Sequence, residues 1–201
     1  MVRAVVLAAG ASSRMGRPKA ALPLTDRADT FLSRILGTLV AAGVPDIVVV
    51  TGAAPDPVHR AAGRLRRNVR FAHNERWPEG QLSSLLVGLA SRPGDRIEAA
   101  LVALVDAPLA SVGTVAQVLR TWRQTGAAIV RPARGDVHGH PVLFDRMLFE
   151  ELRAADPGAG AKGIVRAPAR DIVNVPVDDA GAFVDIDTEQ EYRDVLQRLR
   201  R

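Results

Sequence analysis

Three stretches of the chain, residues 2–7, 47–50 and 99–105, carry almost no polar side chain. Apolar runs of that length without alternation predict strands covered on both faces, as in a parallel sheet flanked by helices. Between them the period changes. Residues 30–42 place Leu32, Ile35, Leu36 and Leu39 on one stripe, and helices are also predicted over residues 57–65 and 81–89. Shorter strands are expected at residues 69–72 and 127–130.

The second half is less regular. A helix over residues 111–124 opens on Ser111 as its cap, and another is expected over 146–154. Residues 156–163, rich in glycine and alanine, read as a flexible loop entering a short helix. A strand at 172–175, a turn at 178–181 and a final helix at 189–199 complete the pattern. The alternation predicts an α/β fold with a doubly wound, mostly parallel sheet, right-handed crossovers and ligands at the carboxyl ends of the strands. No repeat, low-complexity tract or linker divides it, so one domain is expected over residues 1–201.

Composition narrows the chemistry. With 201 residues, 47% of them hydrophobic, the chain can bury a substantial core. Cysteine is absent, which excludes disulfides, thiolate metal sites and a cysteine nucleophile. Arg3 interrupts any apolar leader and residues 2–10 are too short to span a bilayer, so the chain reads as cytoplasmic with no membrane partner. A net charge of +5 raises the question of nucleic acid. The arginines are spread among acids, however, and only Arg64, Arg66, Arg67 and Arg70 cluster, which reads as a solvated helix face; no nucleic-acid partner is expected. The more telling feature is that Lys19 and Lys162 are the only lysines in a chain that otherwise uses arginine. A compact ammonium suits a point contact with phosphate.

Lys19 ends the segment LAAGASSRMGRPKAALPL, which leaves the first predicted strand at Leu7. Gly10 and the small residues Ala8, Ala9, Ala11, Ser12 and Ser13 would let backbone N–H groups approach phosphate oxygens, with Arg14 and Lys19 adding cationic charge. It is not a Walker loop, because Gly16 is followed by Arg17, Pro18 and Lys19 rather than directly by lysine and a hydroxyl residue. Nor is it a dinucleotide fingerprint, which needs three glycines at fixed spacing. Asp106 follows an apolar strand, where a carboxylate is costly unless paired, and a divalent cation would account for it.

The string LAAGxSxRMGxPK resembles the signature of nucleotidyltransferases with a glycosyltransferase-A-like Rossmann fold, specifically the molybdenum cofactor cytidylyltransferase group. Four further strings follow in that family's order: NERWPEGQLSSLLVGL from Asn74, LVDAPL from Leu104, GHPVLF from Gly139 and DIDTEQEY from Asp185. The resemblance implies a nucleotide site formed by Leu7, Ala8, Ala9, Gly10, Arg14, Lys19, Gln81, Ser83, Ser84 and Asp106, with Ser84 the preferred contact to the base. It implies that Arg14, Lys19 and Asp106 are catalytic. Asp106 would hold Mg2+ with a second carboxylate from Asp185 or Asp187, which a spacing of two places on one side of a short strand. Asp185 ranks first, because Asp187 could instead cap the final helix. His140 and Lys162 fall on the acceptor side. A zinc site at His138 and His140 is disfavoured for want of further ligands.

The implied reaction moves a nucleoside monophosphate from a nucleoside triphosphate to a phosphorylated acceptor and releases pyrophosphate. Ala9 matches the LAAG form of the cytidylyltransferases, which favours CTP over GTP. The favoured acceptor is molybdopterin, with a molybdoenzyme as a further partner. GAGAKG from Gly158 and Ala107 depart from the family pattern and leave acceptor identity open. Two alternatives stand beside this reading: transfer to a sugar phosphate or other small phosphate, and a non-catalytic nucleotide-binding delivery module. Retention of Arg14, Lys19, Asp106 and Asp185 argues against the module.

Overall fold

The structure, a computed structural model, describes residues 1–25, 29–92, 96–156, 160–167 and 171–200, without the side chain of Lys162. At its centre lies β1 (Val2–Ala8), every residue of which is buried. It pairs in parallel with β2 (Asp46–Thr51) on one side and with β4 (Ala99–Leu104) on the other. Beyond β2, strand β3 (Arg70–His73) forms one edge.

The far side of β4 departs from the expected pattern. The neighbour of β4 is β7 (Val142–Asp145), which runs antiparallel to it and to β5 (Ile129–Arg134). A two-residue strand, β6 (Val137–His138), turns back on β5, and β8 (Ile172–Pro176) lies parallel to β5. The eight-stranded sheet thus has the order β3-β2-β1-β4-β7-β5-β6, with β8 beside β5. It is mostly parallel but mixed.

Successive residues of β1 serve opposite faces. Val2, Ala4, Val6 and Ala8 pack with Leu32, Ile35 and Leu36 of α1 (Phe31–Ala41) and with Val115, Val118 and Leu119 of α4 (Val112–Thr125). Val5 and Leu7 pack with Leu82, Leu85 and Leu89 of α3 (Gln81–Ala90) on the other face. Helix α3 crosses the sheet so closely that a Cβ on Gly88 would lie 2.3 Å from Val5 Cγ1. Arg3, fully buried, bonds Asp46 Oδ2 at 2.7 Å and donates to the Leu89 carbonyl at 2.8 Å, serving the C-terminal end of α3.

Other boundaries shift by a turn. The helix expected at 57–65 is α2 (Pro55–Ala61), followed by a tighter 3-10 turn over Gly63–Asn68, where Gly63 has φ of 52°. The one expected at 146–154 begins as a 3-10 turn, Arg146–Leu148, before α5 (Phe149–Ala154). The turn expected at 178–181 becomes a 3-10 turn at Ala180–Phe183. A short helix, α6 (Lys162–Arg166), follows the glycine-rich segment, of which residues 157–159 lie outside the described residues. Helix α7 (Glu189–Leu199) closes the chain and packs Tyr192 and Val195 against Met15, Leu22, Leu24, Phe31 and Ile186. This third cluster joins the loop after β1 to the acidic segment before α7.

Candidate nucleotide site

The loop after β1 is shaped by two residues in the left-handed region. Ser12 has φ of 54° and Gly16 φ of 62°, and between them Ser13–Met15 form one 3-10 turn. The Ser12 hydroxyl accepts the backbone N–H of Lys19 at 3.1 Å, closing the loop on itself. Below it, Met15 is buried against Ile186 and Tyr192, while the Arg17 guanidinium stands 5.5 Å from the centre of the Tyr192 ring. Arg14 is thereby left exposed at the mouth, and the Lys19 side chain is turned inward.

Three distant segments meet at Lys19. Its ammonium lies 2.5 Å from Asp187 Oδ1 and 3.3 Å from Asp106 Oδ2, and Arg14 Nη2 lies 3.2 Å from the same Asp187 oxygen. Asp106 follows β4, and its carbonyl accepts the N–H of Ile186 at 2.8 Å, which fastens the acidic segment across the end of that strand. Ile186 is buried while Asp185 and Asp187 point to the other side. The two acids do share one side, as the spacing predicts, but residues 184–187 form no strand. Thr188, not Asp187, caps α7, in a capping box with Glu191. Asp187 is consequently available to the cations.

Electrostatics around the acids are uneven. The hydrogen bond from Lys19 holds the Asp187 carboxyl below the usual carboxylate range, helped by the charge of Arg14. Burial raises Asp185 above it; the negative charges of Asp106 and Asp187 add to the rise, and His140 and Lys19 oppose it. Burial likewise holds His140 below its ordinary value, against the pull of Asp185 and Asp106. His140 stands before a cis bond to Pro141, its backbone N–H donates to the Ala182 carbonyl at 2.8 Å, and its Nδ1 is buried without a partner among the described residues.

Among the described residues no three His, Asp or Glu side chains cluster closely enough to hold a metal by themselves. One buried carboxylate oxygen nevertheless lacks a partner among the described residues: Asp106 Oδ1. An unpaired carboxylate oxygen beside a raised Asp185 fits a hard cation of the magnesium type, which takes one or two carboxylates and completes its shell with substrate phosphates and water.

Two connected cavities open onto these groups. A cavity of about 320 Å³ is lined by Leu7, Ala9, Gly10, Trp77, Gln81 and Ser84, and reaches Arg14, Lys19, Asp106 and Asp187. Its inner wall is tight: a Cβ on Gly52 would lie 2.6 Å from the Ala9 carbonyl and 2.7 Å from Trp77 Cβ. A wider groove of about 1000 Å³ continues past Asp106 and Asp185 to His138, His140, Phe144, Arg131 and Arg166. Arg14, Gln81, Asp106 and Asp187 line both.

Of the residues singled out in the sequence, Leu7, Ala9, Gly10, Arg14, Lys19, Gln81, Ser84, Asp106 and Asp187 line the smaller cavity, and His140 and Asp185 line the groove. Ala8 is buried on the opposite face of the sheet and lines neither cavity. Ser83 lines neither; its hydroxyl donates to the carbonyl of Gly80 or to that of Arg76. The Lys162 side chain lies outside the described residues. Sequence reasoning passed over Asn74, 2% exposed, which donates to both serines of α3, and Arg131 and Arg166 in the groove. Asn74 opens the string NERWPEGQLSSLLVGL, but a buried amide reads from sequence only as a turn residue.

Comparison with known proteins identifies the family. Residues 4–173 match the MobA-like NTP transferase domain. "Nicotine blue oxidoreductase" of Paenarthrobacter nicotinovorans is 35% identical over 96% of this chain and 95% of its own. A "Probable molybdenum cofactor guanylyltransferase" of Mycolicibacterium paratuberculosis is 27% identical over 96% and 94% respectively. Among solved structures, Rv0371c of Mycobacterium tuberculosis superposes with a TM-score of 0.82 at 29% identity, covering 98% of this chain and 97% of that one. The same protein solved in complex with manganese gives a TM-score of 0.76 at 27% identity, with 98% of each chain covered. Among the described residues no helix is long and apolar enough to cross a membrane.

Proposed function

The chain belongs to the MobA-like NTP transferase family, and on that footing we propose that it transfers a nucleoside monophosphate from GTP or CTP to the phosphate of a molybdopterin-type acceptor, releasing pyrophosphate. The observation that carries the reading is the convergence of Lys19, Arg14, Asp106 and Asp187 at the junction of the two cavities. The smaller cavity takes the nucleotide and the groove takes the acceptor. The reacting phosphorus then lies between them.

In this reading an oxygen of the acceptor phosphate attacks the α-phosphorus of the triphosphate. That P–O bond forms as the bond from the α-phosphorus to the bridging oxygen of pyrophosphate breaks. The attacking oxygen is already anionic at neutral pH, so no protein nucleophile is needed and positioning with charge stabilisation supplies the rate. Lys19 and Arg14 neutralise negative charge on the transferring and leaving groups. Loop N–H groups around Ala9 and Gly10 approach the nucleotide, and Ser84 contacts its base. Asp106 and Asp185 would hold magnesium, which when bound supplies Lewis-acid charge to the triphosphate. The manganese complex of Rv0371c supports a divalent site in this family.

Two supports for the base point in opposite directions. The Ala9 methyl on the cavity wall leaves less room than glycine would and favours CTP, whereas the mycobacterial relative is named for guanylyl transfer. Competition between GTP and CTP in a pyrophosphate-release assay with molybdopterin decides between them. Release with neither nucleotide, or only with a sugar phosphate as acceptor, would overturn the proposed substrates.

A second reading, hydride transfer, is favoured by the 35% identity to an oxidoreductase. A nicotinamide dinucleotide site of the usual Rossmann kind places an acid at the end of the second strand and three glycines after the first. Here β2 ends on Thr51, followed by Gly52, and the loop after β1 has only Gly10 and Gly16. Nucleotidyl transfer remains the better supported of the two.

A further inference from the structure

A short hydrogen-bond chain runs from the loop before α3 into the smaller cavity, and the backbone fixes its direction. The N–H of Arg76 donates to Asn74 Oδ1 at 3.0 Å, so the amide nitrogen of Asn74 must face α3. There it donates to Ser83 Oγ at 2.9 Å and to Ser84 Oγ at 3.0 Å. The Ser83 hydroxyl sends its own proton to the Gly80 carbonyl at 2.8 Å or that of Arg76 at 3.0 Å. Ser84 differs: its only side-chain partner among the described residues is the Asn74 amide.

A hydroxyl has one proton and two lone pairs. With one lone pair engaged by Asn74, the Ser84 proton has no acceptor among the described residues, and Ser84 is 3% exposed on the wall of the cavity. The structure assigns Asn74 as a positioning residue that fixes Ser84 as a hydrogen-bond donor toward the base of the nucleotide. The base must then present a carbonyl oxygen or ring nitrogen at that point, and an exocyclic amine there would set donor against donor. The inference rests on Ser84 being a base contact, as proposed above.

The test measures affinity for GTP and CTP, each with magnesium, and for inorganic tripolyphosphate, by titration calorimetry. The proteins are the wild type, Ser84→Ala, Ser84→Thr, Asn74→Asp and the double variant. In Asn74→Asp the added carboxylate oxygen accepts from Ser84 and draws its proton away from the cavity. Ser84→Ala and Asn74→Asp are each expected to weaken the bound nucleotide about tenfold, the size of one lost hydrogen bond. Ser84→Thr restores affinity, and Asn74→Asp adds nothing in the Ser84→Ala background. Tripolyphosphate, held through Lys19 and Arg14, binds all variants alike.

Equal losses from Asn74→Asp in both backgrounds, or a matching loss for tripolyphosphate, would overturn the inference and leave Asn74 a purely structural residue. If the buried carboxylate prevents folding, Asn74→Ala is compared in the same two backgrounds: a loss confined to the background with Ser84 supports the inference, and equal losses refute it. Unchanged nucleotide affinity in Ser84→Ala would remove the base contact itself while leaving nucleotidyl transfer standing. A wild type that binds tripolyphosphate but neither nucleotide would instead overturn the proposed substrates.

Discussion

Lys19 and Asp187, separated by 168 positions in sequence, meet at 2.5 Å, and the same ammonium reaches Asp106 at 3.3 Å. One buried cation thus ties the loop after β1, the end of β4 and the segment before α7. Replacing Lys19 with methionine is expected to lower turnover about 10²–10³-fold, the usual cost of removing one group that stabilises developing charge. Arg14→Ala, at a side chain 68% exposed, should cost less, about tenfold. Steady-state rates of pyrophosphate release check the ranking, and equal losses at the two positions would contradict it.

Asp106→Asn tests the candidate metal ligand. The substitution keeps the shape of the side chain but removes its charge, so turnover should fall at least about 10²-fold, while the melting temperature stays close to that of the wild type. Raising magnesium should not restore the rate. Unaffected turnover would remove Asp106 from the site.

Gly88 offers a test of packing beneath the site. Alanine is favoured over glycine in a helix by about 1 kcal/mol. Here, however, the new methyl would sit 2.3 Å from Val5 Cγ1 and 3.1 Å from Val50 Cγ2. Overpacking of this kind costs about 1–3 kcal/mol, so Gly88→Ala should destabilise in chemical denaturation despite its helix propensity. A stabilised variant would show that α3 can move away from β1 without penalty.

Acid dependence of stability should be traceable in part to Asp179. Burial alone would raise its carboxyl. Hydrogen bonds from the Thr114 hydroxyl at 2.6 Å, the Ser111 N–H at 2.8 Å and the Gly181 N–H at 3.1 Å outweigh that and hold it below the ordinary value of 3.8. A carboxyl lowered on folding contributes stability above its unfolded pKa, and loses it as pH falls through the folded value. Thr114→Val should therefore lower the melting temperature by about 2–4 °C at pH 7 and by less near pH 2.5. Equal shifts at both pH values would assign the effect to packing.

The elements that proved legible in the sequence are those whose periodicity is imposed by burial. Val2 to Ala8 lie between two helical layers, and the alternation of Val5 and Leu7 with Ala4 and Val6 matches the two cores they serve. The paired cations after β1 were legible because Lys19 stands out in an arginine-rich chain. Strands β6 and β7 were not: they are two and four residues long, and Gly139 and Pro141 between them erase any period. Gly139 is required there because a Cβ would lie 2.2 Å from the Ala182 carbonyl, a contact between segments more than forty residues apart. Asp185 and Asp187 do share one side, but the backbone bond that holds them across the end of β4 runs from Ile186 to the Asp106 carbonyl and belongs to no strand ladder. Long-range bonds of that kind leave no local signature.

The most direct measurement is the fate of the triphosphate in a complete reaction with molybdopterin and magnesium, using GTP or CTP labelled at the α-phosphorus. The label should appear on the acceptor as one nucleoside monophosphate per molecule, with one pyrophosphate released for each. Label that stays in unreacted nucleotide would contradict nucleotidyl transfer, and oxidation of a reduced nicotinamide cofactor supplied with an electron acceptor in a parallel assay would favour the redox reading.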